Sequence, residues 1–295
     1  MRDPDQPAFV ASRTLNDALG DRVAVPNAQP FSQLIWATFV RSKRTYEAIG
    51  HLLGRELDTQ AGMLCRPLFE DMLVGHWLEL NRDDPGWLVE RFFRHREAMT
   101  LDQIAIEKEH PFGTGPLLVA DTKELRAKQN ALGREFKGRA RRDWWDPCDQ
   151  GRGVGSPIGI EGVAGILESA AAQHKRFDPR FAGGETPLLR SLEAVIVNWF
   201  SRQLHHTAMG LPFQPNASGP IEFRHDPFAA LRILFSAYWT FGQQGFLLLE
   251  HLGKNLDAYE KTFMAGLVVI GTEIAPNAVQ QKPLRPYTRP GAAQP

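Results

Sequence analysis

The sequence predicts an all-α fold, a multi-helix bundle with one long Gly/Pro-containing loop and a disordered C-terminal tail. Three observations carry that expectation. Apolar residues recur at three- and four-residue spacing over long proline-poor stretches, the period of a helix face. Asp84-Pro85, Thr186-Pro187 and Asp226-Pro227 each set a capping side chain before a proline whose fixed φ suits the first helical turn. No block alternates apolar and polar residues, and only Ile221 to Arg224 reads as extended.

Taken in order, residues 1–30 form an N-terminal segment without a predicted element, 31–275 a single helical domain and 276–295 the tail. Helices are predicted from Phe31 to about Gly54 and from Asp58 to Asn81. A third opens at Asp84-Pro85 with Trp87, Leu88, Val89, Phe92 and Met99, and runs toward Pro111. Pro116 to Phe136 carries charge on most faces and promises only a thin core contact. From Gly138 to Gly159 the pattern stops around Trp144, Trp145 and Cys148, which reads as a long loop. Thr186-Pro187 to His206, Asp226-Pro227 to Leu252 and Leu256 to Ile270 are the last predicted helices. Pro283, Pro286, Pro290 and Pro295 stand among polar residues and predict disorder.

Composition bounds the function. With 43% hydrophobic and 10% aromatic residues, a chain of 295 residues buries enough apolar surface to offset its conformational entropy. Lys+Arg 34 against Asp+Glu 34 gives a net charge of +0, so no whole-molecule field draws it to nucleic acid or to an anionic membrane. The two cysteines form no metal or disulfide pattern, and the charged, proline-broken Met1 to Pro7 lacks the apolar run of an export signal. The expectation is a cytoplasmic protein. The longest apolar run, Phe263 to Gly271, is far short of the roughly 20 residues that cross a bilayer, so no membrane span is predicted.

Polar residues that interrupt the helical pattern are the candidates for function. Arg66 falls on a stripe with Phe69, Leu73, Trp77 and Leu80, and Glu70 lies one turn away. An ion buried without a partner costs several kcal/mol, roughly, so the two read as a pair facing the bundle interior. That pair either ties the bundle together or meets a ligand. Pro67 biases Arg66 away from helical dihedrals and predicts a kink or a helix start there.

On the helix ending at His206, a stripe of Leu188, Leu192, Val195, Ile196 and Trp199 sets Arg202 and His206 at its edge, with Ser201 and His205 on the other side. An Arg and a His one turn apart could cleave RNA without metal, the His as general base and the Arg stabilising the phosphorane charge. The bland alternative is a partly buried histidine that caps the helix end, where the dipole favours it. Lys137, Arg139, Arg141 and Arg142 precede Trp144 and Trp145, which offers nucleic acid a charged and stacking surface or is simply a solvated face. No cofactor or metal is expected: Glu107-x-x-His110 has no second copy, and Gly151 to Pro157 lacks the ending of a phosphate loop.

Arg66-x-x-x-Glu70, Asp143-Trp144-Trp145 and Ser201-x-x-x-His205, in that order from Leu64 to His206, resemble a bacterial all-helical family of unknown function in which such motifs recur. Val197 stands where that family carries a tyrosine. The resemblance implies an interior cluster of Arg66, Glu70, Ser201 and His205, with Trp144 or Trp145 beside it. A small polar or anionic ligand is the expected occupant. Arg202-x-x-x-His206 is similar to, but one residue shorter than, the motif of helical nucleotide-binding toxins, which makes a metal-independent ribonuclease the alternative. A non-catalytic interaction module is the third reading.

Overall fold

The computed structural model describes residues 3–19, 29–109, 162–167 and 227–274, with single positions at 127, 130, 131, 144, 145, 169 and 196; along 102–109 and 227–228 only the backbone is described. The described residues are helical with connecting turns and contain no strand, so the chain is all-α. The elements are α1 (Pro7–Ala18), α2 (Pro30–Gly54), α3 (Asp58–Leu80), α4 (Gly86–Glu109), α5 (Pro227–His251) and α6 (Asp257–Ile274). No described helix is long and apolar enough to cross a membrane. The predicted helices of 116–136 and 186–206 lie outside the described residues apart from Ala127, Asn130, Ala131 and Ile196, and so do the tail and most of the 138–159 loop.

Two compact units divide the chain. The first comprises Met1–Ala24, Arg41–Phe69 and Ile196–Pro295, the second Val25–Val40 and Glu70–Val195, so α2 and α3 each contribute to both.

In the first unit α5 and α6 form an αα-hairpin. Its loop is set by Gly253, at φ +63°, whose left-handed backbone lets the Lys254 N–H donate to the Leu249 carbonyl at 2.8 Å and close the end of α5. Asn255 Oδ1 then accepts from the Asp257 N–H at 2.7 Å and starts α6. The helices interlock by placing aromatic rings over glycines. A Cβ on Gly266 would strike Tyr238, one on Gly242 would strike Phe263, and one on Gly245 would strike Tyr259. These pairs run in opposite directions along the two helices, as an antiparallel hairpin requires. Tyr238 stacks on Phe263 at 5.6 Å, and Phe246 meets Tyr259 and Phe263 edge-on at 4.8 and 5.3 Å.

Against this hairpin lies α1, chiefly on α6 and less on α5. Residues 1–30 carry only part of a helix-start signal for α1: Pro7 suits the first turn, but the N-cap Gln6 makes no side-chain cap and the first turn holds no acid. The missing cap comes from α6. Glu273 accepts from the Ala8 N–H at 3.0 Å and from Gln6 Nε2 at 2.6 Å, which satisfies a free helix donor and places a negative charge at the positive end of the α1 dipole.

Within the second unit, the latter half of α3 is enclosed on every side, each residue from Asp71 to Leu78 being buried. Pro67 stands inside α3, which continues through it, so Arg66 occupies a helix interior and not a helix start.

Candidate functional site

The sequence-read residues divide into those the structure places and those it does not. Arg66 and Glu70 are both half-buried on α3, one turn apart, and each has interaction partners in the fold. Trp145 is buried, and its carbonyl accepts from Trp77 Nε1 at 3.0 Å. Trp144 is half-buried and meets Phe92 of α4 edge-on at 5.0 Å, so the tryptophan pair packs on α3 and α4 within the second unit. Ser201, Arg202, His205 and His206 lie outside the described residues, as do Lys137, Arg139, Arg141, Arg142, His110 and Cys148. Among the described residues, no group of three or more His, Cys, Asp or Glu is arranged to hold a metal ion.

Periodicity did not single out Asp71, His76 and Arg91, which are buried in the second unit, and all three have interaction partners. The stripe through Phe69, Leu73 and Trp77 is buried as read, yet so is the face opposite, and a stripe cannot mark the inward side of a helix covered all round. Cys65 is buried too. Its Sγ lies 3.8 and 3.9 Å from the Ala61 and Ile233 carbonyls, and burial pushes the thiol up, which keeps it protonated and poorly nucleophilic.

The feature best suited to a ligand is a cleft of about 500 Å³ between α1 and α2, wholly within the first unit. Two polar ties set its inner end. Ser12 and Tyr46 share a hydrogen bond of 2.6 Å between their hydroxyls, with the Ser12 carbonyl 3.3 Å from the same phenol. Burial lifts the Tyr46 phenol well above its ordinary value, more than the Ser12 hydrogen bond lowers it, so the group stays a neutral hydroxyl. Behind it, Asn16, Lys43 and Glu47 close a ring. Lys43 Nζ donates to Asn16 Oδ1 at 3.1 Å, Asn16 Nδ2 donates to Glu47 Oε1 at 3.2 Å, and Lys43 pairs with Glu47 at 3.3 Å.

Beyond these ties the next two turns of α2 carry Gly50 and Gly54, and a Cβ at either would meet nothing within 4 Å. The floor there is bare backbone under open space. Phe9 and Pro4 add apolar wall, while Arg13, Asp17, His51 and Arg55 bring charge to the rim. Sequence reading passed over this site because Gly50, His51, Gly54 and Arg55 look like an ordinary solvated helix face. The available signal was glycine at i and i+4 in a predicted helix, where each glycine costs roughly 1 kcal/mol against alanine.

Compared with known proteins, the chain matches no family model, no curated sequence and no solved structure. The likeness drawn from the Arg66–Glu70, tryptophan and Ser201–His205 motifs therefore rests on those residues alone.

Proposed function

We propose that this protein binds a small polar or anionic ligand, and that it does so in the cytoplasm. One observation carries the reading: the α1–α2 cleft, which has the volume of a small-molecule site, a mostly apolar lining and a few convergent polar groups. Its inner end is fixed by buried hydrogen bonds, so binding need not order the polar groups there. The cluster that the sequence motifs imply, Arg66, Glu70, Ser201 and His205, is the second place proposed for such a ligand. The cleft is favoured because α1 and α2 bring its lining groups together around one volume within a single compact unit.

Native mass spectrometry of the protein as purified from cells distinguishes the two. A bound mass present in the wild type, retained in Arg66→Ala and lost in Gly50→Leu supports the cleft. Loss in Arg66→Ala with retention in Gly50→Leu moves the site to α3, and a wild type that carries no bound mass contradicts the proposal.

A further inference from the structure

The charged groups at the cleft differ in how far the fold already uses them. Glu47 is held by Lys43 and Asn16, Asp3 accepts from the Asp5 N–H at 2.9 Å, and Arg13 stands 4.0 Å from Asp5. His51 and Arg55 differ: among the described residues their side chains make no hydrogen bond and no ion pair. One turn apart, each directly follows a glycine of the floor, so both heads reach the same end of the cleft.

Cations near a helix C-terminus ordinarily serve its exposed carbonyls. At the end of α2 the backbone already meets those groups. The Arg55 N–H bonds the His51 and Leu52 carbonyls at 3.2 and 3.0 Å, the Glu56 N–H the Leu53 carbonyl at 3.0 Å, and the Leu57 N–H the Leu52 carbonyl at 2.9 Å. Glu56 itself adopts φ +62°, a left-handed turn that costs a non-glycine residue roughly 1 kcal/mol. Among the described residues the carbonyls of residues 51–53 are thus met without the His51 or Arg55 side chains, and both side chains are exposed at the cleft, open to an incoming group.

Resting on the cleft reading above, we infer that the ligand is a small organic anion with a flat apolar body. The body lies along the Gly50 and Gly54 backbone beside Phe9, where a side chain on α2 would otherwise stand. The anionic head, a carboxylate or a phosphate, meets Arg55 as a forked donor, with His51 beside it. Among the described residues three acids also line the cleft: Glu47 is paired with Lys43, Asp17 follows Asn16, whose side chain ties α1 to Lys43 and Glu47, and Asp3 accepts from the Asp5 N–H.

The test uses the full chain and four probes that share one ring system: 2-naphthoate, 2-naphthyl phosphate, neutral 2-naphthamide and cationic 2-naphthylmethylamine, each titrated calorimetrically. The inference expects one or both anions to bind at least about 5-fold more tightly than the amide, and the amine to bind most weakly. The stronger of the two anions names the head group. His51→Gln and Arg55→Gln should each weaken the anions about 3-fold and leave the amide unchanged, while Gly50→Leu abolishes all binding. Equal binding of amide and anions, lost in Gly50→Leu, overturns the anion inference and keeps the cleft. Binding of no probe to the wild type, or binding unaltered in Gly50→Leu, overturns both.

Discussion

The hairpin seam of α5 and α6 and the cleft between α1 and α2 both contain helical glycines, and the two sets have opposite causes. In the seam, Gly242, Gly245 and Gly266 have no room for a side chain because Phe263, Tyr259 and Tyr238 occupy it. Hydrogen bonds from the phenols fix those rings: Tyr259 donates to the Gly242 carbonyl at 3.2 Å and Tyr238 to the Phe263 carbonyl at 3.1 Å. In the cleft, Gly50 and Gly54 stand before empty space. A helical glycine lowers stability in either place. The seam recovers that cost by close packing, whereas among the described residues nothing packs on the cleft glycines, which is the space the proposed ligand would fill.

The largest effect belongs to the seam. Gly245→Ala and Gly266→Ala should each destabilise the protein by about 2–3 kcal/mol, since the new methyl displaces a packed tyrosine and breaks its hydrogen bond, outweighing the gain in helix propensity. A fall of about 5 °C in the thermal midpoint is expected, and no fall would mean the seam is loosely packed. Next comes the tie that holds α1, one wall of the cleft, to α6. Glu273→Gln should cost about 1 kcal/mol by weakening the bonds to Ala8 and Gln6 at the α1 N-terminus, read as a lowered urea midpoint at unchanged slope. The smallest change has the opposite sign. Gly50→Ala should stabilise by about 0.5–1 kcal/mol, because the methyl enters open space in a helix interior, and a loss of stability would show the space to be closed.

Much of the fold was legible because its signals are local. Apolar spacing and the Asp84-Pro85 and Asp226-Pro227 pairs predicted α2 to α6 with ends within a few residues of those found. The α1 helix was only partly legible: Pro7 and the spacing of Phe9, Ser12 and Leu15 suit a helix, but Pro4 and Pro7 read as breaks, and its cap, Glu273, comes from the far end of the described chain. Buried Asp71 and His76 escaped for a related reason, since α3 there has no solvent face for periodicity to reveal. The paired glycines hinted at the cleft but did not decide it, because Gly50, His51, Gly54 and Arg55 have the same spacing whether a neighbour fills the glycine groove or leaves it open. Only the course of α1 across α2, pinned by Ser12 on Tyr46, decides which. That pin is a tertiary contact between residues 34 positions apart, beyond the range of any helical repeat.

The most direct measurement is the thermal midpoint of the wild type and Gly50→Leu, each with and without saturating 2-naphthoate. A cleft that is open and ligand-binding predicts that Gly50→Leu unfolds at or above the wild-type temperature, and that the ligand raises the midpoint of the wild type alone. An equal rise in both proteins, or a Gly50→Leu variant well below the wild type without ligand, would contradict it.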